Sequence, residues 1–187
     1  MRLTKAGNSN IVIEYAARKL LVDPVIDDIS HHSVPRHLKS SYSKCNLSGL
    51  PFSIETLFDV DALIITPGHM DHWNEITHKL APKDIPIISC SEQTSEHIRS
   101  QGFVNVFALN DGLEYGDIYF SKPHGLKNPK RVTNMDRQCF QAEACGLVLT
   151  HPGEKTMFIM NREAKENISE PRVITNCCDL VVVNVMA

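Results

Sequence analysis

The sequence predicts an α+β fold in which two mixed sheets pack face to face with helices on the outside. Three observations point there. The chain opens with a strand hairpin, its middle alternates strand with helix, and its last third returns to strands and a hairpin. Its 187 residues are 42% apolar and 22% charged, enough for one sizeable core and too few for two comfortable ones.

The elements follow in order. Asn10 to Tyr15 and Lys19 to Val22 carry the alternation and β-branched residues of two strands, joined by a short Ala16-Ala17-Arg18 turn. Asp23-Pro24 ends the second, because proline lacks the N–H that a ladder needs. Val25 to Ser53 is polar, with Pro35, Gly49 and Pro51, and an unpatterned stretch of that length reads as a functional or mobile loop. Ala62 to Thr66 is a continuous apolar run, the mark of a strand buried on both faces, and Pro67-Gly68 breaks it. His72 to Leu80 reads as a helix and Ile85 to Ser89 as another buried strand. Ser91 to Ser100 is a helix, with Ser91 as N-cap and Gly102 just past its end. Strands are then expected over Val104 to Leu109, Asp117 to Ser121, Cys145 to Thr150, Thr156 to Met160 and Leu180 to Asn184, with a hairpin turn at Pro152-Gly153. Repeats, low-complexity tracts and linkers are absent from the sequence, so residues 1–187 read as one domain.

Composition excludes several classes. Nineteen basic against 22 acidic side chains give a net charge of −3, which does not suit a surface built for nucleic acid or anionic membrane. Trp73 and Phe140 make no stacking series for single strands. The sequence holds no apolar run near the ~20 residues of a membrane span, and Met1 to Asn10 lacks the apolar stretch of a secretory signal. Six cysteines (Cys45, Cys90, Cys139, Cys145, Cys177, Cys178) include no CxxC pair and read as reduced thiols of a cytoplasmic protein.

The sharpest chemical feature is Thr66-Pro67-Gly68-His69-Met70-Asp71-His72, where a buried strand gives way to a helix. Turns at the carboxyl ends of strands aim several side chains at one point. Two imidazoles and a carboxylate within four residues suit zinc, or manganese and iron. The competing reading is a helix start whose Asp71 meets the positive end of the dipole, with incidental histidines. A second feature is the stretch Ser121 to Arg137, where Lys122, Lys127, Lys130, Arg131 and Arg137 face a single Asp136. It starts beside His124 and reads either as a solvated loop or as an overhang attracting an anionic substrate such as a phosphorylated metabolite.

The stretch Ile64-Ile65-Thr66 followed by His69-Met70-Asp71-His72 resembles the His-x-His-x-Asp-His signature of the metallo-β-lactamase superfamily. Its context is similar to the lactonase-like branch that includes L-ascorbate-6-phosphate lactonase. The matching stretches are Gly7-Asn8-Ser9, Leu21-Val22-Asp23-Pro24, Asp59-Val60-Asp61-Ala62, Lys83-Asp84-Ile85-Pro86, Gly102-Phe103-Val104-Asn105-Val106 and Lys122-Pro123-His124-Gly125. The resemblance covers nearly the whole chain in order. It implies a four-layer αβ/βα sandwich and a metal-dependent hydrolase, in which metal-bound hydroxide attacks a lactone, ester or phosphoester of a small anionic metabolite.

The resemblance also implies the site residues: His69, Asp71, His72 and His124 as metal ligands, Asn161 at the position of the bridging aspartate, and Asp71 as the catalytic group that orients the nucleophile. Asp23 stands where the family supports its metal by hydrogen bonding, although an aspartate at a strand end also serves by capping turn amides. Departures from the family pattern are specific. Pro67 replaces the first signature histidine, Asn161 is uncharged, and the last family histidine would lie beyond Asn184 where the sequence ends at Ala187. Two protein ligands per metal fall short of the three of a catalytic zinc, so one shared ion is expected rather than two. His31, His32 or His37 are then spare donors. The alternative is a catalytically degenerate member that binds a ligand or assembles as a homo-oligomer, and a short carboxyl end favours self-association.

Overall fold

The structure is a computed structural model, and it describes residues 1–6, 10–26, 53–66, 73–122, 146–161 and 178–184. Eleven strands and three helices are found among them. In chain order they are β1 (Arg2–Lys5), β2 (Ile11–Tyr15), β3 (Arg18–Val22), α1 (Ile54–Leu57), β4 (Ala62–Ile65), α2 (Glu75–Leu80) and β5 (Ile87–Ser89). Then come α3 (Glu92–Ser100), β6 (Val106–Ala108), β7 (Gly112–Tyr115), β8 (Ile118–Ser121), β9 (Leu147–Thr150), β10 (Met157–Asn161) and β11 (Leu180–Asn184).

Two sheets result. The first has the order β1-β2-β3-β4-β5-β6, antiparallel across β1-β2-β3 and parallel from β3 to β6. The second runs β11-β10-β9-β8-β7, with β10 and β11 parallel and the other pairs antiparallel. Leu20, Val22, Ala62, Ile64 and Ile88 of the first meet Ile118, Phe120, Leu147, Leu149, Met157 and Ile159 of the second in one core. On the other face of the first sheet, Leu21, Leu63, Ile65 and Ile87 pack with Leu57, Trp73, Ile98 and Phe103. All four residues of β4 are fully buried, as their continuous apolar run requires. The expected mixed-sheet α+β sandwich is therefore present.

Two tyrosines show which ends of the sheets coincide. Tyr15, the last residue of β2, donates its hydroxyl towards Leu149 O (3.2 Å) and Lys155 O (3.0 Å), beside the start of β10. Tyr115, the last residue of β7, donates to Asp61 O (2.9 Å), just ahead of β4. Tyr15 pairs with Arg18 at the amino end of β3 and Tyr115 with Ile118 at the amino end of β8, so both contacts join the amino ends of β3 and β4 to those of β10 and β8. The carboxyl ends of β3, β4, β5 and β6 therefore share the opposite rim with those of β8, β10 and β11.

Some boundaries differ from expectation. The helix expected from His72 begins at Glu75, because Asn74 adopts an extended backbone (φ −100°, ψ 170°) and caps it by accepting from Thr77 N. α3 keeps its Ser91 cap, and Gly102 takes a left-handed φ of 91° just beyond its end. β1, β7 and α1 were not expected. Their sequences, Arg-Leu-Thr-Lys, Gly-Leu-Glu-Tyr and Ile-Glu-Thr-Leu, are short and partly polar, and β1 and β7 are sheet edges.

Candidate metal centre

Thr66 follows β4 directly and stands three residues before His69 of the His69-Met70-Asp71-His72 motif. It is fully buried, and so is Asp23 at the end of β3. The Asp23 carboxylate accepts from Thr66 N at 2.8 Å through one oxygen and from the Thr66 hydroxyl at 2.7 Å through the other. Asp23 reaches this position with a left-handed backbone (φ 46°), a conformation that aspartate tolerates better than most side chains. Its own N–H donates to Ile64 O at 2.9 Å. A buried carboxylate with paired oxygens is a firm anchor, because each charge-assisted bond is stronger than a neutral one.

The far side of the motif is also tied. Trp73, the residue after His72, donates its indole N–H to Gln101 Oε1 at 2.7 Å and meets the Phe103 ring edge-on at 5.3 Å. Asn74 Nδ2 donates to Ile26 O at 2.9 Å, and Ile26 N donates to the Thr77 hydroxyl at 3.0 Å. The segment that receives these bonds is fixed in turn by the buried Asn10. Its amide accepts from Val25 N at 2.6 Å and donates to Val25 O at 2.9 Å. Residues 67–72 are thus bracketed by two anchors that both lead back to residues 23–26.

The signals for Thr66, Asn10 and Gln101 are weak in the sequence. Their partners are remote, 43 residues away for Thr66 and Asp23, and a paired polar side chain looks like any other in a list of letters. Asn74 carried a signal that the reading of a helix from His72 passed over, since Asn followed by Glu before an apolar helix face is a cap signature.

His69, Asp71, His72 and His124 lie outside the described residues, as do His31, His32 and His37. Among the described residues no three His, Cys, Asp or Glu side chains gather as a metal cluster. The backbone places the flanking positions. Thr66 follows β4, Ser121 ends β8 two residues before Pro123-His124, and Asn161 ends β10 in register with Asn184 of β11. All three positions stand on the shared rim, so the described chain leaves β4 and β8 at one edge of the sandwich. The donor chemistry of the set, imidazole and carboxylate, fits zinc.

Two described histidines, His97 and His78, lie outside the candidate ligand set. His97 is held below its ordinary value of 6.5 by burial first and the nearby His78 second. His78 is lowered by burial and then by Lys83. Cys90, just past β5, is buried, and Cys178 is partly buried. None of the described helices is long and apolar enough to cross a membrane.

Known proteins share this organisation. The UPF0173 protein YddR of Bacillus subtilis is 28% identical over 187 residues, covering 98% of this chain and 71% of its own length. A UPF0173 metal-dependent hydrolase of Koribacter versatilis is 30% identical over 101 residues, covering 53% of this chain and 42% of its own. Among solved structures, the isothiocyanate hydrolase from Delia radicum gut bacteria superposes with a TM-score of 0.66 at 32% identity, over 86% of this chain and 62% of that one. A possible metal-dependent hydrolase from Veillonella parvula shares the fold, with a TM-score of 0.71 at 19% identity over 96% and 69% of the two chains. The chain therefore spans well under half of the Koribacter relative and under two thirds of the isothiocyanate hydrolase. Residues 18–185 match the beta-lactamase superfamily domain, and with its two facing sheets the chain belongs to that superfamily.

Proposed function

We propose that this chain is a metal-dependent hydrolase domain acting on a small electrophilic metabolite. The observation that carries the reading is the bracketed loop. The chain is held at Thr66 by the Asp23 carboxylate and again at Trp73 and Asn74 by Gln101 and Ile26, on either side of the candidate ligands. Flanks held in this way at the carboxyl end of a buried strand suit a metal-holding turn between them, since metal and catalytic groups need placement within roughly 0.5 Å.

In this reading His69, Asp71, His72 and His124 hold one ion, zinc in preference to manganese or iron, and Asn161 offers a neutral amide oxygen. When bound, the ion lowers the pKa of water towards ~7 and offsets negative charge developing on the substrate. Asp71 orients the attacking water and accepts its proton. Lys122 follows β8 directly, and the basic residues after it draw an anionic substrate to the rim. A lactone, ester or phosphoester suits this arrangement, the lactone by likeness to the lactonase branch. The isothiocyanate in the name of the 32%-identical relative adds a further small electrophile. A single domain over residues 1–187, a cytoplasmic setting and assembly as a homo-oligomer belong to the same proposal.

A second reading rests on Pro67 and Asn161, which replace a histidine and an aspartate of the superfamily pattern. In it the chain binds a ligand or a second copy without turnover. Zinc-loaded protein incubated with an aryl ester, a γ-lactone, a phosphodiester and an alkyl isothiocyanate separates the two. Turnover of one class, reduced at least ~100-fold in Asp71→Asn, supports the hydrolase. Stoichiometric zinc without turnover of any class supports the binding module.

A further inference from the structure

We propose that Gln101 is a positioning residue for the His69–His72 loop, acting through Trp73 and oriented by His97. The inference rests on the reading of that loop as metal-holding, and extends it to side chains on a different element. Trp73 is the chain's sole tryptophan, it follows His72 directly, and it is 8% exposed. An indole N–H only donates, and a buried donor needs an acceptor. Gln101 Oε1 is that acceptor at 2.7 Å.

The geometry then fixes the rest. Gln101 Nε2 lies 2.8 Å from His97 Nε2. An amide nitrogen only donates, so His97 Nε2 accepts and its ring is neutral, with the proton on Nδ1. Rotating the amide by half a turn would set its NH2 against the indole N–H, donor facing donor. Reorienting His97 so that Nε2–H faces the amide would do the same at the other end. The chain Trp73 to Gln101 to His97 therefore has one direction. His97 and Gln101 stand four residues apart at the end of α3, on one side of the helix. Gln101 is itself held there by its backbone N–H, which donates to Ile98 O at 3.1 Å.

Trp73 directly follows His72 in the chain, so the bond that holds the buried indole also holds the point at which the His69–His72 stretch ends. Groups that orient a metal ligand without touching the metal are worth ~10–100-fold in affinity. Gln101→Met keeps the volume and removes both hydrogen bonds. Arg99→Ala loosens the same helix end, where Arg99 pairs with Glu92 and donates to Val106 O, without touching the chain. Gln101→Glu restores an acceptor for the indole, and its second oxygen accepts from the Nε2–H form of His97.

Zinc is titrated into each full-length variant against a competing chelating dye, with Trp73 emission followed in parallel. The expected result is zinc affinity ~10-fold weaker in Gln101→Met, near wild type in Arg99→Ala, and recovered in Gln101→Glu. Equal affinity in wild type and Gln101→Met overturns the proposal. So does an equal loss in Arg99→Ala, which would make Gln101 a stability residue only. A wild type that takes up no zinc fails the metal reading itself, and the proposal with it.

Discussion

Thr66 gives both of its donors, the backbone N–H and the hydroxyl, to the two carboxylate oxygens of Asp23, at 2.8 and 2.7 Å with both residues fully buried. The pair links the ends of adjacent parallel strands β3 and β4 at the point where the histidine loop departs. Fold and chemistry meet at this contact. The same bonds that register the strands also fix where residue 67 begins.

Asp23→Ala leaves the buried Thr66 N–H without its acceptor. Removing one partner of a buried hydrogen bond costs about 1–3 kcal/mol, with charged partners towards the top. We expect a loss of about 3 kcal/mol in urea unfolding for Asp23→Ala. Asp23→Asn should lose less, because the amide still accepts from Thr66 N while the hydroxyl turns to accept from the new NH2. Equal stability of Asp23→Ala and wild type would remove the clamp from the account.

Asn10 is the second brace. Asn10→Ala deletes both bonds to Val25 and strands a buried N–H. The expected cost is about 2 kcal/mol. Zinc affinity should fall with it, because Asp23 and Ile26 sit on the segment that Asn10 holds. Chemical denaturation and zinc titration on the same sample check both effects.

The β2–β3 turn carries a removable strain. Ala16 and Ala17 both have left-handed φ values, 50° and 56°, where hairpins of this length favour Asn-Gly. Ala17 is exposed, so replacing it with glycine sacrifices no packing. Ala17→Gly should stabilise the protein by about 1 kcal/mol, read as a higher Tm. A lower Tm would show that the turn relaxes in solution.

His78 and His97 give stability a pH dependence. Both are lowered from 6.5 in the folded chain, so the unfolded chain binds protons first as pH falls. Their contribution is full above the ordinary value and is lost as pH falls through the lower folded values. Tm should decline between pH 7.5 and pH 5.5, and the decline should flatten in the His78→Asn, His97→Asn double variant. An unchanged slope would assign the acid sensitivity to carboxylates.

Much of the fold was legible because its strands announce themselves. Ala62 to Ile65 is apolar throughout and is buried throughout, and Ser91 and Gly102 bracket α3 as capping chemistry dictates. The edge strands β1 and β7 were not legible, since an exposed strand needs no apolar alternation and its ladder partner supplies the order. The start of α2 was misread at His72 because the apolar spacing continues through Trp73. That ring is buried on Phe103 by a residue outside the helix, whereas Asn74 marks the true boundary. Of the site, the sequence supplied the candidate ligands, and the structure supplies their frame. Asp23 was marked by its match to the family position that supports the metal, but Thr66, Asn10 and Gln101 act through partners that only folding brings near.

Metal content of protein purified without chelator tests the central claim most directly. The account predicts close to one equivalent of zinc, manganese or iron per chain, lost in His69→Ala and equally in His124→Ala, because His69 and His124 would be ligands to the same ion. Protein free of metal whose Tm is the same with and without chelator would contradict it. So would a His124→Ala variant that keeps its full metal complement.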